Sequence, residues 1–209
     1  MTRNDVPYGL GAMALGGIGL AFHDFALQWQ PVAKSLPGRP VLAIVSALVL
    51  LILGAGVLWP RTTRRAALGL AVFYASWVVW LHSPLVGAHP TSVAAWLGVA
   101  EVTALAAGGL ALLSTGGQLV ADARLRLAAR LLLGVCALVF GLSHFAYAGF
   151  TAAMVPGWIP FPLFWAYATG CGHMAAGLAL LSGVTSRLAA TLLTAMMGAF
   201  VVMCMRRAS

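Results

Sequence analysis

Stretches of about twenty apolar residues, separated by short clusters of Arg, Pro and Gly, recur along the whole chain. A helix of that length covers a hydrocarbon core about 30 Å thick, and in lipid every backbone N–H and C=O has to find its partner within the segment. The runs are Tyr8 to Leu27, Val41 to Trp59, Ala66 to His82, Val93 to Leu113, Ala129 to Phe150, Phe161 to Leu181 and Leu188 to Met205. They predict an all-α, polytopic membrane helical bundle of about seven transmembrane helices, one domain over 1–209. The third run is the shortest, with 17 residues between Ala66 and His82. Composition agrees, since 62% of residues are hydrophobic and 8% charged, where soluble domains carry about 25% charged residues. The first run has one Arg before it, contains a His-Asp pair and lacks a small-residue cleavage site followed by a polar mature domain. It is therefore expected to stay as a helix rather than be removed as a signal peptide.

A formal net charge of +8 raises the question of a nucleic-acid partner. Lipid-length apolar runs interrupt the basic residues, which therefore do not line one groove, and no nucleic acid is expected. In a seven-span drawing Arg3, Arg61, Arg64, Arg65, Arg124, Arg126, Arg130 and Arg187 fall on one side, and Lys34, Arg39, Arg206 and Arg207 on the other. The positive-inside rule then places the amino terminus in the cytoplasm.

Polar groups inside such runs need compensation, because a charge at mid-depth costs about 2.5 to 3.5 kcal/mol on insertion scales. His23, His82 and His144 each come late in a run, 59 and 62 residues apart, with Asp24 beside His23. Glu101 and His173 lie well inside two further runs. If alternate helices alternate in direction, all six groups converge on one leaflet, and polar groups at one depth face a bundle interior or a wet cavity. Phe140, Ser143, His144, Tyr147 and Thr151 share one helical face, as do Thr169, Gly170, His173 and Gly177, so His144 and His173 are expected to meet. The expected site is His144, His173 and Glu101 as acting groups, with His82, His23 and Asp24 nearby and Tyr147, Trp158, Phe161 and Trp165 as walls. A quinone or similar flat, apolar molecule suits that lining. Imidazoles with a carboxylate also suit zinc, copper or iron, and two imidazoles from different helices suit axial haem ligation. No His-x-x-x-His or Cys-x-x-Cys spacing points to a metal, and Cys136, Cys171 and Cys204 are isolated. For any single histidine the plain alternative is a hydrogen bond to a backbone carbonyl.

The hexapeptide Gly-Leu-Ala-Leu-Leu-Ser occurs at Gly109 to Ser114 and again at Gly177 to Ser182, each copy after a run ending near a histidine. This suggests repeated helical hairpins, the second with a longer loop around Val155 to Pro162.

From Arg130 onward four stretches carry a family likeness: Arg-Leu-Leu-Leu-Gly at 130–134, Gly-Leu-Ser-His-Phe at 141–145, Thr-Ala-Ala-Met-Val-Pro-Gly-Trp-Ile-Pro at 151–160 and Gly-His-Met-Ala-Ala-Gly-Leu-Ala-Leu-Leu-Ser-Gly at 172–183. They resemble the DoxX-like family of small bacterial membrane proteins over roughly the last 80 residues, 124–205. Members are usually four-helix bundles described as oxidoreductases, and the related DoxD type is the small subunit of a thiosulfate:quinone oxidoreductase. The resemblance implies an inner-membrane protein in respiratory or oxidant-linked electron transfer. It would interact with quinone or serve as an accessory subunit beside other membrane or peripheral redox subunits, with His144, the 154–160 loop and His173 carried over. A scaffold or assembly subunit, and a small transporter or metal conduit, are the other classes that the sequence leaves open.

Overall fold

A computed structural model describes residues 5–26, 28–115 and 119–208. Arg3, Leu27 and the side chains of Cys204, Met205, Arg206 and Arg207 lie outside what is described. Helices make up the fold: α1 (Asp5–Phe22), α2 (Arg39–Leu58), α3 (Thr63–Trp77), α4 (Ser83–Ala88), α5 (Val93–Leu113), α6 (Leu119–Ala146), α7 (Ala148–Met154), α8 (Pro162–Ser182) and α9 (Ser186–Ala208). There is no strand among the described residues. Six helical stretches there are long and apolar enough to cross a membrane: Asp5–Phe22, Arg39–Leu58, Thr63–Ala88, Val93–Leu113, Val120–Ala146 and Ser186–Met203. Helix α8 has 21 residues, about 31 Å of rise, but His173, Thr169 and its small residues make it less apolar.

Helix ends depart from the apolar runs where local chemistry intervenes. The first helix stops at Phe22 because His23 adopts a left-handed backbone, φ 50°, which puts His23 and Asp24 in the following loop. The third helical stretch, the shortest in the sequence, instead continues for 26 residues to Ala88. Pro84 lacks an N–H, and in an α-helix its ring would clash with the carbonyl four residues back. The chain relieves this by widening into a π turn over Val78–His82, and Ser83 Oγ donates to the Val79 carbonyl, 2.6 Å. The helix therefore passes through the proline instead of ending before it.

Packing follows chain order, each long helix lying against the next: α1 on α2, α2 on α3, α3 on α5, α5 on α6, α6 on α8, and α8 on α9. Tyr8 closes the first four into a bundle by donating from its hydroxyl to the Leu105 carbonyl on α5, 2.9 Å. The main core sits there, built from Ala12, Leu50, Val57, Leu70, Tyr74, Trp77, Val102 and Leu113 among others. A smaller cluster of Ala176, Leu180 and Ala189 joins α8 to α9. We call the end of the bundle with the turn at Arg61, Arg64 and Arg65 the near end, and the opposite one the far end. At the near end Arg126 donates to the Ser114 carbonyl, 3.0 Å, and Arg130 to the Leu180 carbonyl, 2.8 Å. Both satisfy the carbonyls and negative dipole of a helix C-terminus.

The repeated hexapeptide marks equivalent contacts. A Cβ on Gly109 would lie 2.9 Å from the Ala67 carbonyl oxygen of α3, and one on Gly177 would lie 2.9 Å from the Gly134 carbonyl oxygen of α6. In each hairpin the returning helix presses a bare glycine against the backbone of the outgoing one.

Candidate functional site

The polar residues within the apolar segments sort into two groups on different helix pairs. In the first, α6 and α8 bring His144 and His173 together, ring centroids 4.9 Å apart and planes tilted by 35°. Contact this close requires the helices themselves to be close, and Gly170 supplies the room: a Cβ there would stand 2.9 Å from His144 Cβ. His173 is 1% exposed, while His144 is only partly covered. Phe140 meets His173 edge-on at 5.9 Å, and Phe145 stacks on Tyr167 at 6.1 Å.

Hydrogen bonding selects which nitrogen of each ring carries its proton when the ring is neutral. His144 Nδ1 lies 2.8 Å from the Phe140 carbonyl, and His173 Nδ1 lies 2.9 Å from the Thr169 carbonyl, each one helical turn back. A carbonyl only accepts, so each Nδ1 donates and each neutral ring presents a bare Nε2 lone pair. His173 Nε2 is buried and has no hydrogen-bond partner among the described residues. That is rare for a buried polar atom, since leaving one unsatisfied costs about 1 to 3 kcal/mol.

The second group lies in the amino-terminal bundle at the far end. Gln28, in the loop between α1 and α2, reaches across to α5, its amide nitrogen 3.0 and 3.1 Å from the two carboxylate oxygens of Glu101. His82, 2% exposed at the end of the π turn, donates from Nε2 to the Trp29 carbonyl, 2.9 Å. Its other nitrogen faces α5, where a Cβ on Gly98 would come within 2.7 Å of Nδ1. A cleft of about 270 Å³ opens between these elements, with Gln28, His82 and Glu101 in its wall; neither His144 nor His173 lines it.

The expected single chamber is therefore two sites. Apolar periodicity gives the depth of each group, and the sideways arrangement of the helices separates Glu101 from the histidine pair. His23 is exposed, and Asp24 is taken by Arg39, 2.7 Å away, whose guanidinium also lies over Phe25; both residues belong to the loop rather than to either site. The expected aromatic walls face outward: Tyr147 is 40% exposed, Trp158 67%, Phe161 76% and Trp165 45%. Trp165 donates to the Pro160 carbonyl, 3.1 Å, as interfacial tryptophans do. Phe140, edge-on to His173, takes the place of those walls at the pair. Gln28 was not anticipated as Glu101's partner, and its only sequence signal is the polar pair of Gln28 and Gln30 around Trp29. Gln30 is buried, its side-chain nitrogen 2.6 Å from Ser46 Oγ.

The pair's spacing argues against a haem held between these two rings. N–metal bonds of about 2 Å place axial imidazole centroids roughly 6 Å apart on opposite sides of the macrocycle, whereas these rings touch each other. Among the described residues no three of His, Cys, Asp and Glu gather as a metal-binding group. Cys136 is a buried free thiol, and Cys171 is free and exposed.

Residues 125–205 match the model of the DoxX family. The match takes in most of α6, with α7, α8 and nearly all of α9, so it contains the histidine pair and excludes the Glu101 cleft. The comparisons with curated proteins and with solved structures return no match.

Proposed function

We propose that this membrane protein, through its DoxX-family region, binds a quinol at the His144–His173 pair and accepts the proton of a quinol hydroxyl. The observation that carries this reading is the orphaned Nε2 of His173, beside a second ring locked in the same tautomer. A quinol hydroxyl donates and satisfies that lone pair, whereas a quinone carbonyl is another acceptor and meets no proton there, so the reduced form is favoured. His144 is the partly covered ring and stands on the approach. His173 behind it accepts the proton, and Phe140 supplies an apolar edge. Quinol gives up two protons and two electrons on oxidation. The protons pass to the imidazoles, and the two electrons leave one after the other to a redox partner subunit that takes up both, in keeping with the DoxX-like resemblance. In this reading α8 is a seventh crossing and the chain sits in the inner membrane with its amino terminus in the cytoplasm. The far end, rich in aromatic side chains, is extracytoplasmic, as the two-to-one bias of basic residues supports.

Titration of the protein in nanodiscs with a short-chain benzoquinol and with the matching benzoquinone tests this directly. The quinol is expected to bind at least roughly tenfold more tightly than the quinone, with the difference lost in His144→Leu and His173→Leu and kept in Glu101→Gln. Equal binding of both redox forms, or unaltered quinol binding in the histidine variants, would sink the reading.

A further inference from the structure

Outside the matched region, and independent of the quinol reading, the Glu101 cleft has the composition of a ligand site, and we propose that it binds a primary ammonium group. Apart from the amide of Gln28, its polar wall consists of acceptors and negative charge. Glu101 contributes two carboxylate oxygens that share a single neutral amide, from Gln28. Among the described residues no cation pairs with Glu101; the guanidinium of Arg39, on the α1–α2 loop side, is engaged by Asp24. His82 donates through Nε2 to Trp29 and so keeps Nδ1 as an acceptor on the α5 side. The chemical complement of such a wall is a donor-rich cation.

The remainder of the cleft is apolar and slight, formed by Pro31, Leu85, Ala94, Ala95 and Leu97. A charged head at Glu101 with a short apolar body along these residues fits a volume of about 270 Å³. An ammonium matches better than a metal ion, which would need a third charged or imidazole ligand from groups that do not gather here. It also matches better than a guanidinium, whose planar fork carries donors that these apolar walls would leave unpaired. The Gln28 amide, on an exposed loop residue, occupies the position of the expected N–H donor and can swing out as the cation enters. The cleft opens where the α1–α2 loop meets the first turn of α5, at the far membrane surface. The ammonium therefore has two sources: a free amine from the aqueous phase, or the ethanolamine headgroup of a neighbouring lipid.

Full-length protein in phosphatidylcholine nanodiscs, titrated with n-butylammonium and followed by thermal unfolding, decides the matter. Butylammonium is expected to raise the midpoint of the native protein in a saturable way, whereas n-butanol and n-butyrate do not. Glu101→Gln, a neutral isostere, should weaken the response roughly tenfold or more, and Ala95→Leu, which fills the cleft and keeps the charge, should abolish it. Discs containing phosphatidylethanolamine separate the sources. If that lipid raises the midpoint alone and removes the response to added amine, the headgroup is the ligand. If the added amine still acts there, the ligand is a free amine. No rise in the native protein with either source, or an equal response in Glu101→Gln, overturns the proposal.

Discussion

Two hairpins, α3–α5 and α6–α8, close on the same six residues and the same contact of a bare glycine against a carbonyl, yet they carry different chemistry. Four and eight residues before the hexapeptide glycine, α5 has Leu105 and Glu101, whereas α8 has His173 and Thr169. In α8 the two positions serve each other, since the Thr169 carbonyl orients the His173 ring. In α5 they point to different partners: the Leu105 carbonyl receives Tyr8 of α1, and Glu101 receives Gln28 of the loop. The outgoing histidines diverge in the same way, His144 pairing with α8 while His82 turns to the Trp29 carbonyl. One packing frame thus supports a closed imidazole pair in one copy and an open acidic cleft in the other. What differs is whether α1 and its loop lie alongside: they flank α5, and α9 instead flanks α8.

Substitutions can break this equivalence or sharpen it. The largest effect is expected at the shared frame. Gly177→Val would bring its Cβ to 2.8 Å from Leu138 Cδ2 and 2.9 Å from the Gly134 carbonyl, which should destabilise by about 3 kcal/mol. Gly109→Val should do the same in the other copy, and a large inequality in denaturant unfolding of the two variants would show that the frames are not equivalent. Next comes His82→Leu, which removes the donor from the part-buried Trp29 carbonyl and should cost about 1 to 2 kcal/mol in the same assay. His173→Leu is expected to be close to neutral in stability, because it replaces an unsatisfied nitrogen by apolar surface, and the Thr169 carbonyl that loses the ring N–H keeps its helical backbone donor. A loss above about 2 kcal/mol there would mean that the ring is a structural tie and not a waiting acceptor. The smallest change is expected for Gln28→Ala, within about 0.5 kcal/mol as for other exposed sites, with Glu101 becoming more reactive toward a water-soluble carbodiimide.

Class and helix content were legible because lipid-length apolar runs leave the backbone no other way to satisfy itself. The meeting of His144 and His173 was legible too, since small residues on one face of α8 and a polar stripe on α6 fix how those two neighbours turn toward each other. The partition into two sites was not. These helices are apolar nearly all round, so periodicity does not say which face of α5 looks toward α6 and which toward α1. Gln28 was hidden for a related reason, because its bond to Glu101 joins residues 73 apart and depends on how a loop folds back over the bundle. The extension past Pro84 required knowing that the helix would widen rather than stop, and proline alone usually signals a stop.

The glycine crossings of α6 with α8 have a mechanical corollary. Gly134 against Gly177 and Gly141 against Gly170 interlock backbone with backbone at two levels, one a turn or more below the imidazoles and one beside them. Sliding either helix lengthwise would drive a carbonyl oxygen into a neighbouring Cα, so the spacing of the two helix backbones is set by main-chain steric contact. On the quinol reading, a swing of the His144 side chain or a shift of α7 would open the way to His173, with the two long rods held still like the jaws of a fixed gauge.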